Sequence, residues 1–168
     1  AAVKARTRLR PVWVHFGAGN IFRGFLAALQ QTLLNAGLID TGILAAESFD
    51  VQIIDKVYDP YDDLSLLVRL RADGSYEKEV VASVARGLKA DCTGGDWADL
   101  VQGFQSPGLQ LASFTITEKG YGLRDMKGQL LPVVVEDLKN GPEQARHAMS
   151  VVAAMMLARF RAGARLMA

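Results

Sequence analysis

The feature that most constrains this chain is the run from Val12 to Gly24, V-W-V-H-F-G-A-G-N-I-F-R-G. A short β-prone stretch ends at Gly17-Ala18-Gly19, and an apolar pattern of helical period begins at once. Ile21, Phe22, Phe25, Leu26, Leu29 and Leu33 recur three or four apart. A buried strand, a glycine turn and an amphipathic helix in that order make the phosphate-binding half of a dinucleotide fold. Gly17 is free to take the tight turn, and Gly19 has no Cβ to hold a diphosphate away. The free N–H groups at the helix start, with the helix dipole behind them, favour an anion. In the G-x-G-x-x-G pattern the third small residue would fall at position 22, where Phe22 stands; the next glycine is Gly24. A strand-to-helix turn that binds nothing opens in the same way, so both readings stand. Phe22 predicts an altered approach of the helix without removing the anion site.

The first helix is predicted from about Asn20 to Ala36, capped by Asn20 and stopped at Gly37. Thr41 to Ser48 (T-G-I-L-A-A-E-S) reads as a buried strand ending in a carboxylate. In a dinucleotide fold, an acidic residue there accepts hydrogen bonds from the adenosine ribose. Glu47 is either that group or a solvated strand-end glutamate. The first role would repel the extra phosphate of NADP and favour NAD. Phe49 to Tyr58 suggests a short helix closed by Asp59-Pro60. Leu64 to Arg71, the Asp73-Gly74 turn and Tyr76 to Ala85 then read as an antiparallel hairpin, an elaboration of the βαβ plan.

Further on, Asp96 opens a helix through Phe104, and Leu109 to Thr117 reads as another buried strand followed by Glu118-Lys119-Gly120-Tyr121. Ligands of open α/β sheets sit beyond the carboxyl ends of the strands, so these residues are where nicotinamide contacts are sought. A helix from about Glu143 to Ala162 is apolar nearly all round and predicts partners on more than one face. Arg165 to Ala168 reads as a strand start with nothing after it. A doubly wound sheet would continue, which predicts a fragment of a longer enzyme.

Composition narrows the partners. The 168 residues carry 19 basic and 18 acidic side chains, which gives no reason to expect nucleic acid or an anionic membrane. The local excess Lys4, Arg6, Arg8 and Arg10 predicts a solvated basic arm over residues 1–11, ahead of one domain over 12–168. A single cysteine, Cys92, forbids an internal disulfide and fits a reducing compartment. Ala148 to Leu157 is too short to span a bilayer, and no secretory leader is visible, so a soluble cytoplasmic protein is expected. His15 and His147, the only histidines, lack a second ligand at metal spacing, so no metal site is predicted. His15 reads as a hydrogen-bonded core or ligand-edge residue.

H-F-G-A-G-N-I-F-R-G-F (His15 to Phe25), with S-F-T-I-T-E-K-G-Y (Ser113 to Tyr121), resembles the N-terminal half of the mannitol dehydrogenase and hexuronate reductase family. A-R-F-R-A-G-A (Ala158 to Ala164) is similar to that family's linking helix, and the resemblance runs from about Val12 onward. It departs from the mannitol-phosphate branch in having Phe22 for a glycine and Glu47 for an aspartate. The resemblance implies a Rossmann-like doubly wound sheet with an inserted antiparallel hairpin, truncated before a helical C-terminal domain. It implies a metal-free, NAD(H)-dependent enzyme interconverting a polyol or aldonate and its keto form. Gly17, Ala18, Gly19, Asn20, Ile21 and Arg23 would hold the diphosphate and Glu47 the ribose. Thr117, Glu118, Lys119, Gly120 and Tyr121 would line the nicotinamide side. The catalytic lysine of that family belongs to the C-terminal domain, so none is assigned here, Lys119 included. The expected macromolecular contact is that domain, or a second copy packed on the last helix. The alternative is a stand-alone nucleotide-binding, assembly or redox-sensing module without catalysis.

Overall fold

In the computed structural model, which describes residues 1–164, four short strands form a wholly parallel sheet in the order β5-β2-β1-β6. These are β1 (Trp13–Phe16), β2 (Ile43–Glu47), β5 (Val84–Lys89) and β6 (Leu111–Phe114). The order places β1 between β2 and β6, in register Phe16 with Ala46 and Phe16 with Phe114. Side-chain alternation along β1 sends Val14 and Phe16 to one face and Trp13 and His15 to the other. The first face packs on α3 (Asp96–Gln105) and α6 (Ala148–Arg161) through Leu100, Phe104, Val151 and Met155. The second packs on Ala27 and Ala28 of α2 (Ala27–Asn35), on Phe22 just before it, and on Ile54 and Tyr58 of the short helical segment Ile54–Tyr58. Helices on both faces of a parallel sheet are the doubly wound arrangement.

The helix after the glycine turn opens with a π-helical segment, Phe22–Leu26, before α2 proper. The Phe22 ring is fully buried and stacks on His15, with centroids 4.2 Å apart and planes 8° from parallel. Phe22 therefore lies under the helix against the sheet and does not plug the turn.

The hairpin is β3 (Ser65–Leu70) with β4 (Tyr76–Val81), a separate two-stranded sheet inserted between β2 and β5. One expectation fails here. The predicted return strand Tyr76 to Ala85 divides at Ala82-Ser83, and its tail enters the main sheet as β5. Three bonds fix the break: Ala82 N–H to Gln31 Oε1 (2.7 Å), Ser83 Oγ to the Ala27 carbonyl (2.6 Å) and Ile43 N–H to the Ser83 carbonyl (2.9 Å). The run Val80-Val81-Ala82-Ser83-Val84-Ala85 holds no glycine or proline that would mark the division.

The basic segment is no solvated arm but a helix, α1 (Ala2–Leu9), pinned to the body. Buried Thr7 accepts from the Gly42 N–H at 2.7 Å, while Lys4 pairs with Asp62 and Asp63 and Arg10 with Asp40. Those acidic partners are distant in the chain, which is why a charge count missed them. Two short helices, α4 (Glu118–Tyr121) and α5 (Pro132–Asn140), follow β6. The last helix starts at Ala148 rather than Glu143, because a 3-10 turn (Pro142–Gln144) precedes it and His147 caps it, its Nδ1 accepting from Met149 N–H. Most of α6 is covered, though Phe160 near its end is 69% exposed; other large exposed apolar side chains are Ile21 (72%), Phe25 (60%) and Leu29 after the glycine turn, and Leu66, Leu70 and Val80 on the hairpin. The predicted strand start Arg165 to Ala168 lies outside the described residues.

Candidate functional site

The carboxyl ends of β1, β2 and β6 converge where the glycine turn leaves the sheet. Gly17 has φ of +109°, a region that favours glycine, and a Cβ there would sit 2.7 Å from the Thr115 carbonyl oxygen. Its N–H donates to the Ala46 carbonyl at 2.8 Å, so the turn is bound to the neighbouring strand as it begins. Gly19 is the opposite case: a Cβ built on it would meet nothing within 4 Å. The two glycines divide the work between shaping the turn and leaving space beside it. Asn20 and Ile21 follow at the helix start, where the first N–H groups have no intrahelical acceptor.

Glu47, only 8% exposed, sits at the end of β2 with both oxygens engaged by backbone. Oε2 accepts from the Ala18 N–H at 2.9 Å and Oε1 from the Phe49 N–H at 2.9 Å. The strand-end carboxylate is therefore anchored rather than solvated, and each oxygen keeps a further lone pair for a hydroxyl. This changes the part of Ala18. Its N–H is already taken by Glu47 and its carbonyl accepts from Tyr58 Oη at 2.8 Å, so Ala18 ties the loop together. Burial holds the Tyr58 phenol well above its ordinary pKa, which keeps it a donor.

Arg23 lies one turn into the helix. Its Nη2 donates to Asn20 Oδ1 at 2.5 Å, its guanidinium carbon is 6.0 Å from the Tyr58 ring centroid, and its buried Nε has no hydrogen-bond partner. The Arg23 guanidinium thus adds a positive charge within a turn of the helix start, where the helix dipole already favours an anion. On the β6 side, Thr115 N–H donates to the Phe16 carbonyl at 2.9 Å, binding that strand end to the glycine turn. Thr117, Glu118, Lys119 and Tyr121 are exposed and Gly120 half-buried just beyond it, the residues from Glu118 on forming α4.

Sequence reasoning left His15 open between core and ligand edge; the structure puts it in the core. It is fully buried, with Nδ1 2.7 Å from Ser113 Oγ and Nε2 2.8 Å from Thr115 Oγ1. Burial disfavours its charged form and lowers its pKa from 6.5 to about 4. The unfolded chain therefore takes up this proton first as pH falls, so the stabilisation is complete above about 6.5 and is lost progressively towards 4. Between pH 7 and pH 5, His15 should cost the fold about 2 kcal/mol. Urea midpoints at the two pH values should show it as a slope that His15→Gln flattens relative to the unmodified chain. Among the described residues no group of three or more His, Cys, Asp or Glu could hold a metal ion, and no helix is long and apolar enough to cross a membrane.

A parallel sheet wound on both faces, with a glycine turn after β1 and an anchored carboxylate ending β2, defines a dinucleotide-binding fold of the Rossmann type. No family model matches the chain. It is 52% identical over 161 residues to the D-mannonate oxidoreductase of Thermotoga maritima, covering 96% of this chain and 30% of that protein. It is 29% identical to an uncharacterized oxidoreductase of Escherichia coli, YeiQ, over 88% of this chain and 30% of that one. Among solved structures it is similar to Pseudomonas fluorescens mannitol 2-dehydrogenase in ternary complex with NAD and D-mannitol (TM-score 0.78, 26% identity, 94% of this chain and 32% of that one). It is also similar to a D-sorbitol dehydrogenase in substrate-free form (TM-score 0.76, 27% identity, 94% and 33%). One relative is a D-mannonate oxidoreductase and two solved neighbours are a mannitol and a sorbitol dehydrogenase, which supports the resemblance to the N-terminal portion of the mannitol dehydrogenase and hexuronate reductase family. The chain spans about a third of the length of the relatives it matches.

Proposed function

We propose that this chain is the NAD-binding portion of an oxidoreductase that interconverts a sugar alcohol or aldonate and the corresponding ketose or keto-uronate. The observation that carries the reading is the open space at Gly19, bordered by the helix start and by a loop that Glu47 holds in place. The relatives support the chemistry: one is a mannonate oxidoreductase and one solved neighbour holds NAD with mannitol. NAD, when bound, supplies hydride transfer at its nicotinamide ring; the chain's own residues bind and orient it.

In this reading the N–H groups at Gly19, Asn20 and Ile21 receive the diphosphate, helped by the dipole of the helix and the Arg23 charge. Gly17 and Ala18 shape and fasten the turn. Glu47 offers its remaining lone pairs to the ribose hydroxyls. Thr117 to Tyr121, at the end of the strand beside β1, line the nicotinamide side. The group that exchanges a proton with the sugar lies outside these residues, so the chain binds cofactor without turning over substrate. The substrate pocket is completed by a further domain, as the greater length of the relatives suggests.

Titrating NADH while following nicotinamide fluorescence tests the reading, with saturable enhancement expected. NADPH should bind more weakly, because its extra phosphate would approach the Glu47 carboxylate. Glu47→Gln removes that charge and should shrink the NADH preference about tenfold, the worth of one charged contact. An unchanged ratio in a folded variant would remove Glu47 from the ribose site.

A further inference from the structure

The pleat of β1 that faces α2 carries a row of polar groups through the core, and the row ends at the glycine turn. Trp13 Nε1 donates to Ser113 Oγ at 2.6 Å; Ser113 Oγ lies 2.7 Å from His15 Nδ1; His15 Nε2 lies 2.8 Å from Thr115 Oγ1. Thr115 Oγ1 in turn donates to the Gly17 carbonyl at 3.4 Å, the longest link. The indole can only donate, and the carbonyl can only accept. With both ends fixed, one assignment satisfies every group between them. Ser113 receives from Trp13 and gives its proton to Nδ1, while Nε2–H gives to Thr115, whose proton goes to Gly17. The opposite tautomer would bring two donors to Ser113 Oγ and draw the Thr115 proton to Nε2, away from Gly17.

We propose that His15, held as the neutral Nε2–H tautomer, is a positioning residue for the glycine turn, acting through Thr115 on Gly17. The proposal rests on the NAD-binding reading for its functional consequence but not for its physical content. Gly17 packs directly on Thr115, whose carbonyl oxygen would lie 2.7 Å from a Cβ built on the glycine. Displacing the end of β6 relative to β1 would carry Gly17 with it, and Gly19 and the helix start two residues on. His15 touches no cofactor atom in this scheme; it sets where those amides stand.

The test has two layers, both on the chain as it is. Nitrogen NMR of the imidazoles at neutral pH should show His15 with a bare Nδ1 and a protonated Nε2; a protonated Nδ1 overturns the proposal outright. Four variants then separate positioning from packing. Thr115→Val removes the hydroxyl at nearly constant shape, and Thr115→Ser retains it. His15→Asn can still accept from Ser113 but falls short of Thr115, whereas His15→Gln can place an amide N–H where Nε2 stands. Both His15 variants lose the ring stack on Phe22 alike, so a merely structural role moves them equally. Thr115→Val and His15→Asn should shift the Gly17 to Asn20 amide signals and weaken NADH about tenfold, while Thr115→Ser and His15→Gln stay near the parent. Combining Thr115→Val with His15→Asn should add nothing. Equal losses for His15→Asn and His15→Gln, or additive losses in the double variant, would overturn it. If the parent chain binds no NADH, the functional reading fails, and the tautomer and the amide shifts still decide this proposal.

Discussion

Replacing Gly19 with valine should leave the chain folded and remove its affinity for NADH. The position is suited to the experiment because a Cβ there meets no protein atom within 4 Å, so the new side chain projects into the space assigned to the diphosphate without disturbing the core. Holding an anion away from helix-start amides forfeits several charge-assisted hydrogen bonds together, and a loss of more than 100-fold in affinity is expected. Thermal unfolding should stay within about 1 °C of the parent. Gly17 cannot serve in its place. With φ at +109° and the Thr115 carbonyl 2.7 Å from any Cβ, a side chain there damages the turn itself, and lost binding would say nothing about contact. Unchanged NADH affinity in a folded Gly19→Val chain would place the cofactor elsewhere.

The largest effect on stability is expected at the other end of the sheet. Arg159 is only 2% exposed, and among the described residues its guanidinium donates to the main-chain carbonyls of Phe104 and Ser106 through Nη1 at 3.0 and 2.9 Å and of Leu109 through Nη2 at 3.0 Å. It thereby fastens α6 to the turn that joins α3 to β6. Arg159→Met keeps much of the aliphatic stem but leaves those carbonyls without this donor, a loss of about 3 kcal/mol. For a chain of this size that lowers Tm by roughly 6–12 °C. Arg159→Lys should recover only part, since a single ammonium cannot reproduce a planar fork that reaches several acceptors. A Tm within about 2 °C of the parent for Arg159→Met would show that the helix is held by its apolar face alone.

The parts of this fold that a reader of the sequence could see were those governed by local chemistry. The strand, turn and helix around Gly17 were legible because glycine freedom and helical periodicity are properties of neighbouring residues. So was the hairpin, announced by Asp73-Gly74 between alternating strands. What escaped was set at a distance. Ala82 and Ser83 divide one apparent strand into two because they bond to Gln31 and Ala27, partners in another helix. The basic N-terminal segment folds down because Asp40, Asp62 and Asp63 await it. At the candidate site, Glu47 was legible as a strand-end carboxylate, but its bond to the Ala18 N–H was not. His15 carried only one weak signal, a polar residue inside an apolar strand. Its meaning depends on Ser113 and Thr115, which reach it only once β6 is laid beside β1.

The inserted hairpin has a consequence for how the sheet assembles. Parallel pairing of β2 with β5 requires the chain to make a long excursion and come back, which is entropically the slow kind of contact. Antiparallel β3 and β4 zip locally through a tight turn, on a microsecond scale, and once joined they drop out of the excursion. Each halving of a loop lowers its closure cost by about 0.6 kcal/mol, so the insertion that lengthens the chain also shortens the search. Its last residues then deliver Val84 to Ile43, which makes the hairpin a guide for the third parallel strand rather than an ornament on the surface.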